Sequence, residues 1–226
     1  MPRLVSILWL LVLSPIACAQ TSPAAAGEAG QSLRVVMFTL DFPESQPEHY
    51  SIRVAGEGPS LYESSGRLSA DSDDKDSFDF NFTLSDETRS KIFALAAKAG
   101  YFQKDLESHH KGMAFTGKKT LSYKDAQRAG ESTYNYSSNA AAQELTSLLQ
   151  NLSATLEFGH RLDYYRRYQK LALDEELKRM QEMAKDNLLV EMSAIHPILE
   201  QIAADQAVVN IARARAQRLM DGVGGR

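Results

Sequence analysis

Cysteine is almost absent from this 226-residue chain: Cys18 is the only one. It stands in an N-terminal segment that has the marks of an export signal, so an exported, cleaved chain would carry none. That excludes disulfides, thiol catalysis and cysteine-based zinc or iron–sulfur centres. A chain of this size can bury a core without disulfides. Positive charge is not in excess either. Lys and Arg number 25 against 29 Asp and Glu, for a net charge of −4, which excludes a broadly basic nucleic-acid binder. The apolar run Leu4 to Leu13, broken by Ser6, is too short for a membrane span of ~20 residues. No H-E-x-x-H, G-x-S-x-G or Ser-His-Asp signature is present, so zinc, hydrolase-elbow and seryl chemistry lack a starting point. No cofactor is expected.

What the first residues do contain is an address. Arg3 supplies a positive start, Leu4 to Leu13 the apolar stretch, and Ala17-Cys18-Ala19 a small-residue cleavage pattern. Cleavage is expected between Ala19 and Gln20. Two other readings compete: a lipid on Cys18, opposed by Pro15 where lipoprotein signals usually carry Leu, and an uncleaved anchor. A periplasmic or secreted location follows from the first.

The rest divides by its periods, and 43% hydrophobic residues is too apolar for a disordered chain. Residues 1–19 are the signal and 20–32 a small-residue leader. Residues 33–157 alternate in strand fashion around one helix. Leu33 to Leu40, Tyr50 to Val54 and a short run at Leu61-Tyr62 come first. Then Phe78, Phe80, Phe82 and Leu84 alternate with Ser77, Asp79, Asn81 and Thr83. Period two places the aromatics on one face, as a one-sided antiparallel sheet requires. Phe80 is expected under the following helix, near Phe93 or Leu95.

Ser85 has the chemistry to cap that helix, with Asp86 and Glu87 at its positive end and Gly100 at its close. Lys119 to Tyr123 and Thr133 to Tyr136 are two further strands, with Gly130 in the turn between them. A helix then starts near Ser138 or Asn139, with Leu145, Leu148, Leu149, Leu152 and Leu156 on one face. The fold class expected is α+β: an antiparallel sheet packed by helices, then an all-α extension.

That extension is expected over 158–221, as a hairpin or coiled-coil-like pair of helices, with a tail at 222–226. Gly159 predicts a break or bend. Asp174–Lys178 and Glu175–Arg179 are spaced for i,i+4 pairs. Asp186-Asn187 predicts a tight turn and a new helix start. A 4–3 stripe runs Leu188, Met192, Ile195, Leu199, Ile202, Gln206, Val209, with a kink or restart at Pro197.

The order of these elements, with Tyr50-Ser51-Ile52-Arg53-Val54, Phe80-Asn81-Phe82-Thr83-Leu84-Ser85, Tyr101-Phe102 and Thr120-Leu121-Ser122-Tyr123, is similar to small exported bacterial domains of unknown function. The helical extension resembles a feature of related acidobacterial proteins. The resemblance spans residues 33–157 and implies a fold, not an activity.

Few residues suggest chemistry. Gly112 to Lys119 approaches a phosphate-binding loop, but Lys119 stands where the hydroxyl is needed and no buried strand precedes it. A glycine turn is the plainer reading. His109-His110 lacks partners at metal-ligand spacing. Asp71, Asp73, Asp74 and Asp76 fail the calcium-loop pattern. His196 and Glu200, at i,i+4, suit a salt bridge. Tyr164, Arg166, Arg167 and Tyr168 mix aromatic and basic groups and are the candidate ligand-binding residues, with Tyr165 and Tyr168 expected to face inward. The function expected is an exported, non-enzymatic interaction protein that uses its C-terminal helices to hold a partner or a second copy. The alternative is a small-ligand or envelope-surface binding protein.

Overall fold

Alternation along the fourth strand decides which side of the sheet is covered. The computed structural model describes residues 34–43, 45–67 and 75–223. The signal with its Ala19–Gln20 junction, the leader, Asp71, Asp73 and Asp74 lie outside them. Four strands come first: β1 (Val35–Asp41), β2 (His49–Ala55), β3 (Ser60–Arg67) and β4 (Lys75–Phe82). Helix α1 (Asp86–Lys98), β5 (Lys118–Lys124) and β6 (Ala129–Tyr134) follow. The six strands make one antiparallel sheet in the order β4-β3-β2-β1-β5-β6. A long helix, α2 (Ala140–Tyr168), and three shorter ones, α3 (Leu173–Lys185), α4 (His196–Ala204) and α5 (Asn210–Val223), complete an α+β chain. Among the described residues no helix is long and apolar enough to cross a membrane.

The sheet is one-sided, as its period-two patterning predicts. Phe38, Ile52, Tyr62 and Leu121 are sealed on the inner face, and Arg53, Glu63, Asp79 and Thr133 are exposed on the outer one. β3 is longer than its apolar letters suggest, because its inward positions are Ser60, Tyr62, Ser64 and Gly66. Small polar side chains gave no hydrophobic signal there. Phe80 is only half-buried and stacks between Phe78 and Phe82, with centroids 5.8 and 6.3 Å away. It faces Leu156, Ile195 and Ile198, not Phe93 or Leu95. Phe93 sits at the other end of the sheet, against Tyr123.

The caps behave as their chemistry requires. Ser85 Oγ accepts from Thr88 N–H at 3.2 Å, and Gly100 closes the helix region at φ 70°. Arg89 reaches from α1 to the carbonyls of Ala55 and Gly58 and ties down the β2–β3 turn. Gly130 lies within β6. The turn before it is built by Asp125, whose carboxylate accepts from the Gln127 and Arg128 N–H groups.

Asn139 Oδ1 accepts from Ala141 and Ala142 N–H and starts α2. Leu145, Leu149, Leu152 and Leu156 are buried against the sheet, each worth about 1.5–3 kcal/mol of burial. The expected break at Gly159 does not occur: α2 continues unbroken for 29 residues. Glycine is there for proximity, since a Cβ would lie 2.5 Å from Ile195 Cγ2. The break comes at Gln169, where φ and ψ are −142° and 57°.

The 4–3 stripe also differs from its expectation. The Asp186-Asn187 turn is present, with Asn187 at φ 56°, but no helix starts at it. The chain reaches a short turn at Met192–Ile195, restarts at Pro197 in α4, and breaks again at Asp205. There the Asp205 carboxylate accepts from Ala207 N–H at 2.9 Å, which competes with helix continuation. Helix α5 runs to Val223, past the expected end at 221. Asp174 pairs with Arg215 at 2.7 Å and Arg179 with Glu176 at 3.1 Å, in place of the i,i+4 partners. Leu162, Leu173, Leu177, Met180, Leu199, Ile202, Ala212 and Ala216 are buried and belong to the same apolar cluster as the sheet. Most of the stripe is thus covered within the chain, while Leu188 and Val209 remain exposed.

Candidate functional site

An acidic side chain sits where the helix stripe should be apolar. Glu157 lies between Leu156 and Phe158 on α2, and is 8% exposed. The strand beneath offers hydroxyls. Tyr62 donates to Glu157 Oε1 at 2.8 Å and Ser64 donates to the same oxygen at 2.7 Å. Because Tyr62 has one proton and spends it on the carboxylate, Ser153, 2.9 Å away, is the donor in their mutual bond. Among the described residues the second oxygen, Oε2, has only longer electrostatic contacts: Arg161 Nη1 at 3.8 Å and His160 Nδ1 at 4.0 Å.

The charges continue outward in alternating sign. Arg161 Nε donates to Glu176 Oε1 at 2.6 Å, and Arg179 Nη1 donates to Oε2 at 3.1 Å. Glu176 is 3% exposed. A buried carboxylate is retained as an ion only where it is paired and hydrogen-bonded, and Glu157 is both. Burial pushes the Glu157 carboxyl up, but His160, Ser64, Tyr62 and the Arg161 charge outweigh it, so it is held below the ordinary Glu value. Burial beside that carboxylate pushes the Tyr62 hydroxyl well above the ordinary tyrosine value, and burial raises Tyr50. Opposite, His160 Nε2 meets Asp76 at 3.1 Å, and its ring stacks on Phe78 with centroids 4.0 Å apart and planes 4° apart.

Three cavities adjoin this network. A notch of about 20 Å³, room for one water, lies between Ser64, Asp76, Phe78, Glu157, His160 and Arg161. A groove of about 500 Å³ runs from Gln46 and Pro47 of the β1–β2 loop past Tyr50, Ser153 and Glu157 to Arg179 and Met183. Glu157 and Arg161 line both. An apolar pocket of about 300 Å³ lies beyond His160, between Phe78, Phe80, Ile195 and Ile198. The loop comes close because Gly66 has no side chain: a Cβ there would meet Glu48 N at 2.6 Å.

Tyr164, Arg166, Arg167 and Tyr168 occupy the last turns of α2. Tyr168 points outward, 70% exposed, against the expectation that it faces the core. Position 168 falls at the helix end, past the layer that covers α2, so its place on the wheel no longer means burial. Tyr165 does pack against the core. Tyr164 gathers the other two rings, with centroids 5.8 Å to Tyr165 and 5.1 Å to Tyr168. Arg166 and Arg167 both reach Asp163, at 3.8 and 2.6 Å. Lys170 then binds Asp205 at 2.7 Å and joins this corner to the α4–α5 corner. Leu171, Val209 and Ile211 are exposed on the two joined corners.

The remaining sequence candidates make local contacts. Lys119 is buried and donates to Thr116 and to the carbonyls of Gly117 and Asn135, so it pins a glycine turn. His109 pairs with Asp105 at 2.9 Å on an exposed loop, and His196 with Glu200 at 3.3 Å. Among the described residues no three His, Cys, Asp or Glu gather as a metal site would require. Sequence reasoning missed Glu157, His160, Arg161, Glu176 and Arg179. The available signal was an acid inside a leucine stripe, facing a strand whose inward positions are serine and tyrosine. No protein-family model matches this chain, and neither does any curated protein.

Proposed function

We propose that the chain is an exported, non-enzymatic interaction protein of the periplasm or cell envelope. Its C-terminal helices present a corner to a protein partner or to a second copy of the chain. The observation that carries this reading is the exposure of Tyr168 at 70%, Leu171 at 85% and Ile211 at 52% on two corners joined by Lys170–Asp205. Single exposed apolar residues are ordinary, while several on one end mark association surfaces. Arg166, Arg167 and Asp163 lie beside them as a polar rim of mixed sign, the usual surround of an interface core. Export is supported by the Ala17-Cys18-Ala19 pattern after an apolar run. The test is sedimentation of residues 20–226 against a Leu171→Asp, Ile211→Asp double variant, alone and with envelope extract. A discrete larger species that the double variant abolishes supports the reading, and identical profiles oppose it.

A second reading, small-ligand binding, is favoured by one separate observation. The groove at Glu157 has the size of a ligand site, and among the described residues one oxygen of that buried carboxylate has only contacts of 3.8 and 4.0 Å.

A further inference from the structure

The groove between the β1–β2 loop and helices α2 and α3 has a particular chemical balance. Its lining carries one acid, Glu157, and two bases, Arg161 and Arg179, and the buried Glu176 that the two arginines share behind the wall brings the set to neutrality. A charged ligand would find these side chains already paired with one another and would bring a charge that the set does not offset. Its uncharged polar groups are Ser45, Gln46, Tyr50, Gln150 and Ser153. Its apolar walls are Leu40, Pro47, Phe158, Tyr165 and Met183. Glu157 is nine-tenths buried and lines the groove, and among the described residues its Oε2 has only Arg161 Nη1 at 3.8 Å and His160 Nδ1 at 4.0 Å. A carboxylate acceptor beside a guanidinium donor matches two neighbouring hydroxyls, one donating and one accepting. Apolar walls match the C–H faces of a sugar ring.

Resting on the small-ligand reading, we infer that this groove binds a neutral, polyhydroxylated ligand: a free mono- or disaccharide or the end of a longer glycan. The ligand hydroxyls donate to Glu157 Oε2 and accept from Arg161 and Arg179. Gln46 and Gln150 serve the outer hydroxyls, and Tyr165 and Pro47 lie against the ring.

The test is a calorimetric and NMR titration of residues 20–226 with maltose and with N,N′-diacetylchitobiose. Glucosamine and glucuronate serve as charged comparators. The expected result is saturation by a neutral sugar at about millimolar concentration or below, with shifts at Tyr50, Tyr165 and Met183. Both charged sugars should bind at least about tenfold more weakly, the cost of an uncompensated charge in a neutralised site. Glu157→Gln keeps the shape and should weaken binding about tenfold. Arg179→Ala, at a side chain 60% exposed, is the variant that folds if Glu157→Gln does not, and should weaken it several-fold. Retention on chitin in addition to chitobiose binding assigns the ligand to a glycan end, and chitobiose binding alone assigns it to a free sugar. Failure of every neutral sugar to saturate at about 10 mM, or unchanged affinity in both variants, overturns the inference. Saturable binding of a charged or non-sugar compound in the same groove would overturn it while leaving the small-ligand reading standing.

Discussion

The Tyr62 hydroxyl lies 2.8 Å from Glu157 Oε1, and both residues are buried between sheet and helix. A strand and a helix 95 positions apart in sequence are thereby joined by a charge-assisted hydrogen bond. Tyr62→Phe removes the donor and leaves Ser64 as the one hydroxyl on that oxygen. The expected loss is about 1–3 kcal/mol in urea melts, the range for a hydrogen bond to a buried charged group. Glu157→Leu should cost less than Glu157→Ala, because it fills the space without a charge.

The same carboxylate sets a pH dependence. Its folded value is held below the ordinary 4.5, so it stabilises the fold at pH above the unfolded value. That contribution is lost as pH falls from about 4.5 through the folded value. Melts from pH 7 to 3 should show the stability gap between wild type and Glu157→Gln constant above about pH 5 and shrinking below it. A gap that widens on acidification would contradict the assignment of the charged form.

Gly159 gives an opposite-sign test of packing against propensity. In an open helix Gly→Ala stabilises by about 1 kcal/mol. Here the new Cβ would lie 2.5 Å from Ile195 Cγ2, so Gly159→Ala should destabilise by about 1–3 kcal/mol. Pairing it with Ile195→Ala should recover part of that loss in a double-mutant cycle. Stabilisation by Gly159→Ala alone would mean that the Met192–Ile195 turn does not lie against α2.

Along β4, Phe82 and Phe80 should separate. Phe82 is 4% exposed and Phe82→Ala should cost about 3–5 kcal/mol. Phe80 lines a pocket and is half-buried, so Phe80→Ala should cost roughly half as much. Asp79→Ala, on the exposed face, should change stability by under about 0.5 kcal/mol. Equal losses at 79 and 80 would show that the register is wrong.

How far the sequence carries depends on whether a signal is local. The β4 alternation, the Ser85 cap and the Asn139 start each need only a few neighbouring residues, and each is legible. Gly159 is ambiguous for the opposite reason. Its meaning lies with Ile195, 36 positions away, and a lone glycine looks the same whether it bends a helix or admits a neighbour. The 4–3 stripe over Leu188 to Val209 predicts apolar faces correctly at Ile195, Leu199 and Ile202. It cannot report that Asp205 caps a turn inside the run. The groove and its ion network were invisible because Glu157, Glu176, Arg161 and Arg179 resemble the solvent-facing charges of any helix until the sheet lies beneath them. Tyr164, Arg166, Arg167 and Tyr168 do come together, but on a corner made by a distant loop.

The interaction role rests on the exposed corner, and a photo-crosslinking residue placed there reports on it directly. Replacing Leu171 or Ile211 with a photoreactive amino acid in the full chain, and irradiating cells that export it, should give one discrete product shared by both positions. Residue Asp79, on the exposed face of the sheet, should give none. The shared product is either twice the chain mass or the chain plus one partner, and should disappear when the other corner residue is changed to Asp. No product at 171 and 211, or the same products at 79, would contradict the proposal that this corner is where the protein associates.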